Sequence, residues 1–343
     1  MKMKKIFWIF GLCLAVVACN NKPQANELEQ EEKESVAIVN PVALYSDSIA
    51  QDSTRADLYL MRAHAYMASE QIGSAMMDVN RAISLDSRYV DAYLMLADIY
   101  YMMGDNNNIN VTLNRAAEID PTDARPLVKL GELNLLQQNY TLSAAYIEKA
   151  LKINTYNPKA YFVKGMYFIA AEQDTVNALK NFQLAYEQDG TFFDAAELIG
   201  RIYAVQQPPY ALDFLRNMQR NFPNHPSARY ELALYLQDHG APQEAIAHYD
   251  TLLTLMPENF VVIYNKAYVN FVYLHENETA LQLFDQALQL NPNYLDAMFN
   301  KGRVLEQMGR YADAASIYKE VLKRQDNYEL AIEALNRVQN QAE

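Results

Sequence analysis

Reactive and redox chemistry is nearly missing from this 343-residue chain. It has two cysteines, Cys13 and Cys19, both near the start, so residues 20–343 hold no internal disulfide and no thiolate metal site. The five histidines, His64, His225, His239, His248 and His275, show no His-x-x-x-His spacing, which leaves no zinc motif. Glycine is scarce, and there is neither a glycine-rich phosphate loop nor a Gly-x-Ser-x-Gly elbow. Tryptophan occurs once, at Trp8. Lys and Arg number 29 against 42 Asp and Glu, a net charge of −13 with no basic stripe, which disfavours nucleic acid as a ligand. The longest apolar run, from Ile6 to Val17, is too short for a membrane span. No catalytic residue, metal ligand or cofactor can be nominated, since paired carboxylates in an acidic helical chain are solvated surface.

What is present is a period. Pro121, Pro223, Pro257 and Pro292 stand 102, 34 and 35 residues apart, and 102 is three times 34. A fixed period in the thirties marks one supersecondary unit copied along the chain. Before Pro257 come Ala245, Tyr249 and Leu252, and before Pro292 come Ala280, Phe284 and Ala287. The i, i+4, i+7 spacing places each trio on one face of a helix. Upstream, Tyr93, Leu96, Ala97 and Tyr100 define another helix, and turn residues such as Gly104 to Asn108 or Gly240 to Pro242 separate the two. Each unit is a predicted helical hairpin.

These residues resemble the tetratricopeptide repeat pattern, in which an aromatic, Leu, a small residue and Tyr mark helix A, and Ala, an aromatic, Ala and Pro mark helix B. The resemblance implies an all-α superhelical solenoid of about eight helix-turn-helix repeats over residues 56–327. A capping helix is expected over 328–343, where Tyr328, Ala331, Leu335 and Val338 form one apolar stripe. Another is expected over 41–55. Three joints are irregular. Ile109 stands where the hairpin needs a small residue and predicts a wider hairpin or a slipped register. The fourth copy has one extra residue near Asp174, and the fifth is one residue short and opens helix B at Pro208 and Pro209.

The leader is a separate instruction. Lys2, Lys4 and Lys5, the apolar run and a small-residue ending have the form of a secretory signal over residues 1–18. Val16, Val17, Ala18 and Cys19 resemble the bacterial lipobox, which implies cleavage before a diacylated, further acylated (palmitate-type) Cys19. Two or three acyl chains, each methylene contributing about 0.8 kcal/mol, anchor a protein stably. Loss of the three lysines takes the net charge from −13 to about −16. Residues 19–40 read as an acidic disordered tether carrying Glu27, Glu29, Glu31, Glu32 and Glu34. Asn20, where some lipoprotein families place the aspartate of inner-membrane retention, leans towards the outer membrane and its periplasmic face, with Bacteroidota-like surface exposure left open.

In tetratricopeptide proteins helix A lines an inner wall that holds peptide or partner segments. The register puts Asp57, His64, Asp91, Asp98 and Glu132 on the first half of that wall, over Leu60, Leu94 and Val128 with Tyr101 nearby. The second half receives Phe162, Arg201, Tyr230, Tyr264, Tyr268, Phe271, Phe299 and Arg303, residue types suited to binding hot spots and equally to packing. The carboxylate clamp of some family members is missing: Asn265 and Asn300 match one of its positions, but Tyr230, Leu234 and Asp296 replace its partners. The resulting expectation is a non-catalytic, lipid-anchored scaffold that docks envelope proteins or peptide segments. The alternative is a glycan- or nutrient-binding outer-membrane lipoprotein on the same scaffold, which the lack of a later tryptophan and of long insertions disfavours.

Overall fold

The repeating punctuation of the chain sets the element boundaries. The structure, a computed structural model, describes residues 40–206 and 208–341. The expected leader, the Cys19 lipidation site and the tether through residue 39 lie outside the described residues. Among the described residues there are eighteen helices and no strand.

Helix α1 (Pro41–Gln51) precedes eight hairpins. These are α2 (Ala56–Ala68) with α3 (Ile72–Leu85), α4 (Val90–Met102) with α5 (Asn106–Ile119), and α6 (Arg125–Leu136) with α7 (Tyr140–Ile153). Next come α8 (Pro158–Tyr167) with α9 (Thr175–Gln188), α10 (Phe193–Gln206) with α11 (Pro208–Asn221), and α12 (Pro226–Asp238) with α13 (Pro242–Leu255). The last are α14 (Phe260–Val272) with α15 (Asn277–Leu290) and α16 (Leu295–Gln307) with α17 (Tyr311–Arg324), closed by α18 (Glu329–Gln339).

Two kinds of turn alternate. Between hairpins, the side chains of Asp86, Asp120, Asn154, Asp189 and Asn291 each accept from the backbone N–H two residues on, at 2.9–3.1 Å. These Asx-turns stop helix B, and the periodic prolines occupy the same turn. Within hairpins, helix A ends on a left-handed residue: Glu70, Gly104, Gln138, Gln173, Gly240, His275 or Gly309.

The seam of each hairpin matches small against large. A Cβ on Gly165 would lie 2.5 Å from the Phe182 ring, and one on Gly302 equally close to the Tyr318 ring. Glycine at these two positions lets helix B insert a full aromatic ring into helix A. Ala75, Ala178, Ala211, Ala245, Ala280 and Ala314, all fully buried, keep the helices close one turn earlier.

The irregular joints have distinct solutions. The extra residue of the fourth repeat is absorbed by a π-helical turn, Phe168–Glu172, after which Asp174 N–H donates to Phe168 O at 3.0 Å. Helices α10 and α11 are joined by one residue. Ile109, contrary to the expected slip, sits in register. Its N–H donates to Asp105 O at 3.1 Å, and the Asp105 side chain caps Asn108 N–H as Asp174 caps Asn177 N–H. Its branched side chain is accommodated between hairpins, packed with Leu94, Ala97, Leu113, Leu130 and Leu133 of α4, α5 and α6.

Each helix packs on the next in the chain, and A helices also meet A helices: α6 with α8, α10 with α12, α14 with α16, and α16 with the cap α18. No pair of successive B helices makes a comparable contact. The stack is therefore closer on the A side, which makes the A helices the concave wall.

Candidate concave binding surface

The first half of the wall is wired by ion pairs between repeats. Asp91 Oδ1 meets Arg125 Nη1 at 2.7 Å, Asp98 pairs with Lys129, and Glu132 Oε2 meets Lys159 Nζ at 3.1 Å. Asp57 pairs with Arg55. The expected open acidic wall is thus largely neutralised, because each carboxylate finds a cation on the same or the following repeat. Leu60, Leu94 and Val128, expected as an apolar floor, are buried in the junctions between helices. His64 is exposed.

At the fifth and sixth repeats Arg201 bridges two carboxylates, Glu197 at 3.1 Å and Glu231 at 2.7 Å. Burial pushes both carboxyls above the ordinary glutamate value, and the guanidinium opposes that rise.

In the second half, bonds between tyrosine and asparagine are added to ion pairs that still link successive repeats, Lys266 Nζ with Asp250 Oδ1 at 2.5 Å and Lys301 Nζ with Asp285 Oδ1 at 2.6 Å. Asn265 Nδ2 donates to Tyr230 Oη at 2.8 Å, and Asn300 Nδ2 donates to Tyr264 Oη at 3.1 Å, each bond crossing one repeat. The asparagines matching the clamp position are thereby committed to their neighbours. Burial pushes the Tyr230 phenol up to about 12. The Tyr264 ring stands 4.9 Å from Tyr294 and 5.8 Å from Phe284. Arg303 lies over Phe271 at 5.0 Å and donates to Asn300 Oδ1 at 2.8 Å.

Placement separates the nominated residues. Phe271 and Phe299 are buried, the latter against Tyr318 and Tyr328. Phe162 packs on Phe182 and Phe192. Arg201, Tyr230, Tyr264, Tyr268 and Arg303 are half-buried, Tyr268 against Tyr264 and Tyr273 of its own repeat. Among the nominated aromatic and arginine residues Tyr101 alone is exposed, at 57%.

Tyr101 belongs to a pocket of about 210 Å³ at the junction of the second and third repeats. Ala97, Ile109, Leu113 and Leu133 form its buried interior. Tyr101 and Leu136, the latter 60% exposed, stand at its mouth with the Asp98–Lys129 and Glu132–Lys159 pairs. Sequence reasoning singled out Tyr101 and the anomaly at Ile109 but did not join them. Leu133, Leu136, Lys129 and Lys159 carry no signal of their own, since a lining shared by four helices is set by packing.

Among the described residues no group of three His, Cys, Asp or Glu side chains could hold a metal ion, and no helix is long and apolar enough to cross a membrane.

Models of the tetratricopeptide repeat match residues 56–89, 90–123, 203–259 and 274–338. Superkiller complex protein 3 of Homo sapiens is 22% identical over 204 residues, 58% of this chain and 13% of that protein. Photosystem I assembly protein Ycf3 of Acaryochloris marina is 30% identical over 90 residues, 25% of this chain and 54% of that protein. The chain therefore spans a small part of the first relative and about half of the second. The Cut9–Hcn1 hetero-tetramer structure aligns with a TM-score of 0.57 at 18% identity, covering 86% of this chain and 58% of that one. A tetratricopeptide repeat protein from Parabacteroides merdae aligns with a TM-score of 0.53 at 16% identity, covering 73% and 98%. Both likenesses speak to the fold. The hairpin register, the small-against-large seams and the matched repeats agree: this chain carries tetratricopeptide repeats and folds as their superhelical solenoid.

Proposed function

We propose that this protein is a non-catalytic scaffold of the bacterial cell envelope, anchored through lipid on Cys19, that holds a partner protein or peptide segment against its concave wall. The observation that carries the binding part is the open pocket at Tyr101 on a wall whose repeats are tied together by ion pairs and hydrogen bonds. A surface so tied down is preorganised, and a preorganised surface loses little entropy when it binds. The anchoring part rests on the lysines, apolar run and Val16-Val17-Ala18-Cys19 ending of the leader. Asn20 favours the outer membrane and its periplasmic face.

Crosslinking in living cells, followed by affinity purification in detergent, tests the scaffold role. Recovery of the same envelope proteins across growth conditions is expected, and consistent failure overturns it. Membrane fractionation of Cys19→Ala tests the anchor. The variant is expected in the soluble fraction, and unchanged membrane association removes the lipoprotein assignment.

A further inference from the structure

The B-helix side of the stack, away from the concave wall, carries a second opening. Helices α11 and α13 of the fifth and sixth repeats stand apart, and a cleft of about 660 Å³ lies between them, floored by Leu232 of α12. Its walls are polar, with Asp213, Arg216, Asn217 and Arg220 on α11 and Glu244 and His248 on α13. Both helices run the same way, so these side chains form rungs one turn apart. On the first rung Arg216 Nη2 meets both Glu244 oxygens, at 3.0 and 3.1 Å. One turn on, Arg220 comes level with His248, and this rung has no carboxylate.

The second rung is rich in donors. Arg220 donates to the amide oxygen of Asn217, and Arg229 of α12 reaches the rung from behind, its Nη1 3.3 Å from His248 Nδ1. Neither arginine pairs with a carboxylate among the described residues. The contact from Arg229 makes Nδ1 an acceptor and leaves the imidazole proton on Nε2, which is 4.0 Å from Glu244 Oε1, too far for a hydrogen bond. Burial and then Arg229 lower the His248 pKa, Arg216 adds to this and Glu244 opposes it, so the ring is neutral at pH 7. In a chain of net charge −13, the arginines 216, 220 and 229 facing only Asp213 and Glu244 reverse the local sign.

We infer that the cleft between α11 and α13 binds a sugar phosphate, with the phosphate on Arg220 and His248 and the hydroxyls towards Asp213. A phosphate monoester brings about 1.5 to 2 negative charges and three acceptor oxygens, which suit a guanidinium fork beside further donors. The cleft exceeds the approximately 300 Å³ at which small-molecule sites begin, so the anion arrives on a carrier. That carrier is hydroxylated, because Asn217 and Asp213 offer it hydrogen bonds. Asp213 lies seven residues from Arg220, about 10 Å along α11, and its carboxylate accepts from hydroxyls while repelling a second anion. The site does not depend on the concave wall or on what that wall holds.

Titration calorimetry of the full chain with glucose 6-phosphate, glucose and inorganic phosphate tests this. Glucose 6-phosphate is expected to bind, with glucose and inorganic phosphate each at least about tenfold weaker. Arg220→Gln, at an exposed position, should weaken glucose 6-phosphate at least about tenfold. Arg115→Gln, which removes an exposed arginine of α5 paired with Glu118, should leave it within about twofold. Asp213→Asn should favour fructose 1,6-bisphosphate over glucose 6-phosphate by at least about threefold more than the parent chain does, a change of preference that loss of stability does not produce. No binding of glucose 6-phosphate, equal binding of glucose, or indifference to Arg220→Gln would each overturn the inference. Equal binding of inorganic phosphate would remove the sugar from it, as would binding confined to vesicles that contain phosphatidic acid.

Discussion

At the scale of single residues, the seam between helices A and B is the least forgiving part of the chain. Gly165→Ala and Gly302→Ala place a methyl group against a rigid ring and should each cost about 1–3 kcal/mol, even though alanine is the better helix former. Gly190→Ala, which meets nothing within 4 Å, serves as the control and should change stability by less than about 1 kcal/mol. Urea titrations of the three variants compare them. Tyr264 gives a different lesson. Its register position marked it as wall, yet its ring is shared with Tyr294 and Phe284 and its hydroxyl accepts from Asn300. Tyr264→Ala is therefore expected to lower stability by about 2–4 kcal/mol, read by the same titration. Helical spacing assigned this tyrosine to a face. It could not show that a ring from the next hairpin covers that face, because that depends on the crossing of two helices thirty residues apart.

At the scale of elements, the hairpins were legible and their junctions were not. The proline period and the i, i+4, i+7 trios located sixteen hairpin helices because each repeat carries the same small and large positions. The extra residue near Asp174 was countable, but a count does not say whether an insertion becomes a loop or a π-helical turn. The bonds across the junctions differ in salt sensitivity. Exposed pairs such as Asp91–Arg125 and Glu132–Lys159 contribute about 0.2–1 kcal/mol each and are screened in 1 M salt, where the Debye length is about 3 Å. The Tyr230–Asn265 and Tyr264–Asn300 bonds are between neutral groups. Raising the salt from about 0.1 to 1 M should thus speed amide exchange in α4, α6 and α8 more than in α12, whose Glu231–Arg201 pair is shielded by burial. Equal changes would refute the distinction.

The C-terminal cap has its own pH signature. Hydrogen bonds from Arg337 hold the Glu306 carboxyl below its ordinary value of 4.5, with a further bond from Tyr318. A depressed carboxyl stabilises the fold above the unfolded value and loses that contribution as pH falls through the folded one. The Glu197 and Glu231 carboxyls are raised by burial, so protonation relieves a cost there. Protection factors measured on acidification below about pH 4.5 should fall first in α18, while the α10–α12 junction stays protected. Simultaneous loss at both places would contradict this assignment.

For the whole molecule, the stack is a nearly one-dimensional solid in which every junction fixes the curvature of the wall. Most side chains that the sequence offers as a binding surface serve those junctions, while a pocket opens at Tyr101, Leu136 and Ile109. The composition pointed to a chain without catalytic chemistry, and the leader pointed to an anchor. The location of the opening needed three-dimensional packing, since its lining comes from α4, α5, α6 and α8. The most direct test is photo-crosslinking in intact cells with a photoreactive amino acid at position 101 or, for comparison, at Val111, which is 68% exposed on α5. A discrete adduct with an envelope protein from position 101 and none from position 111 is the expected result. No adduct from position 101, or the same adducts from both positions, would contradict a scaffold that works through its concave pocket.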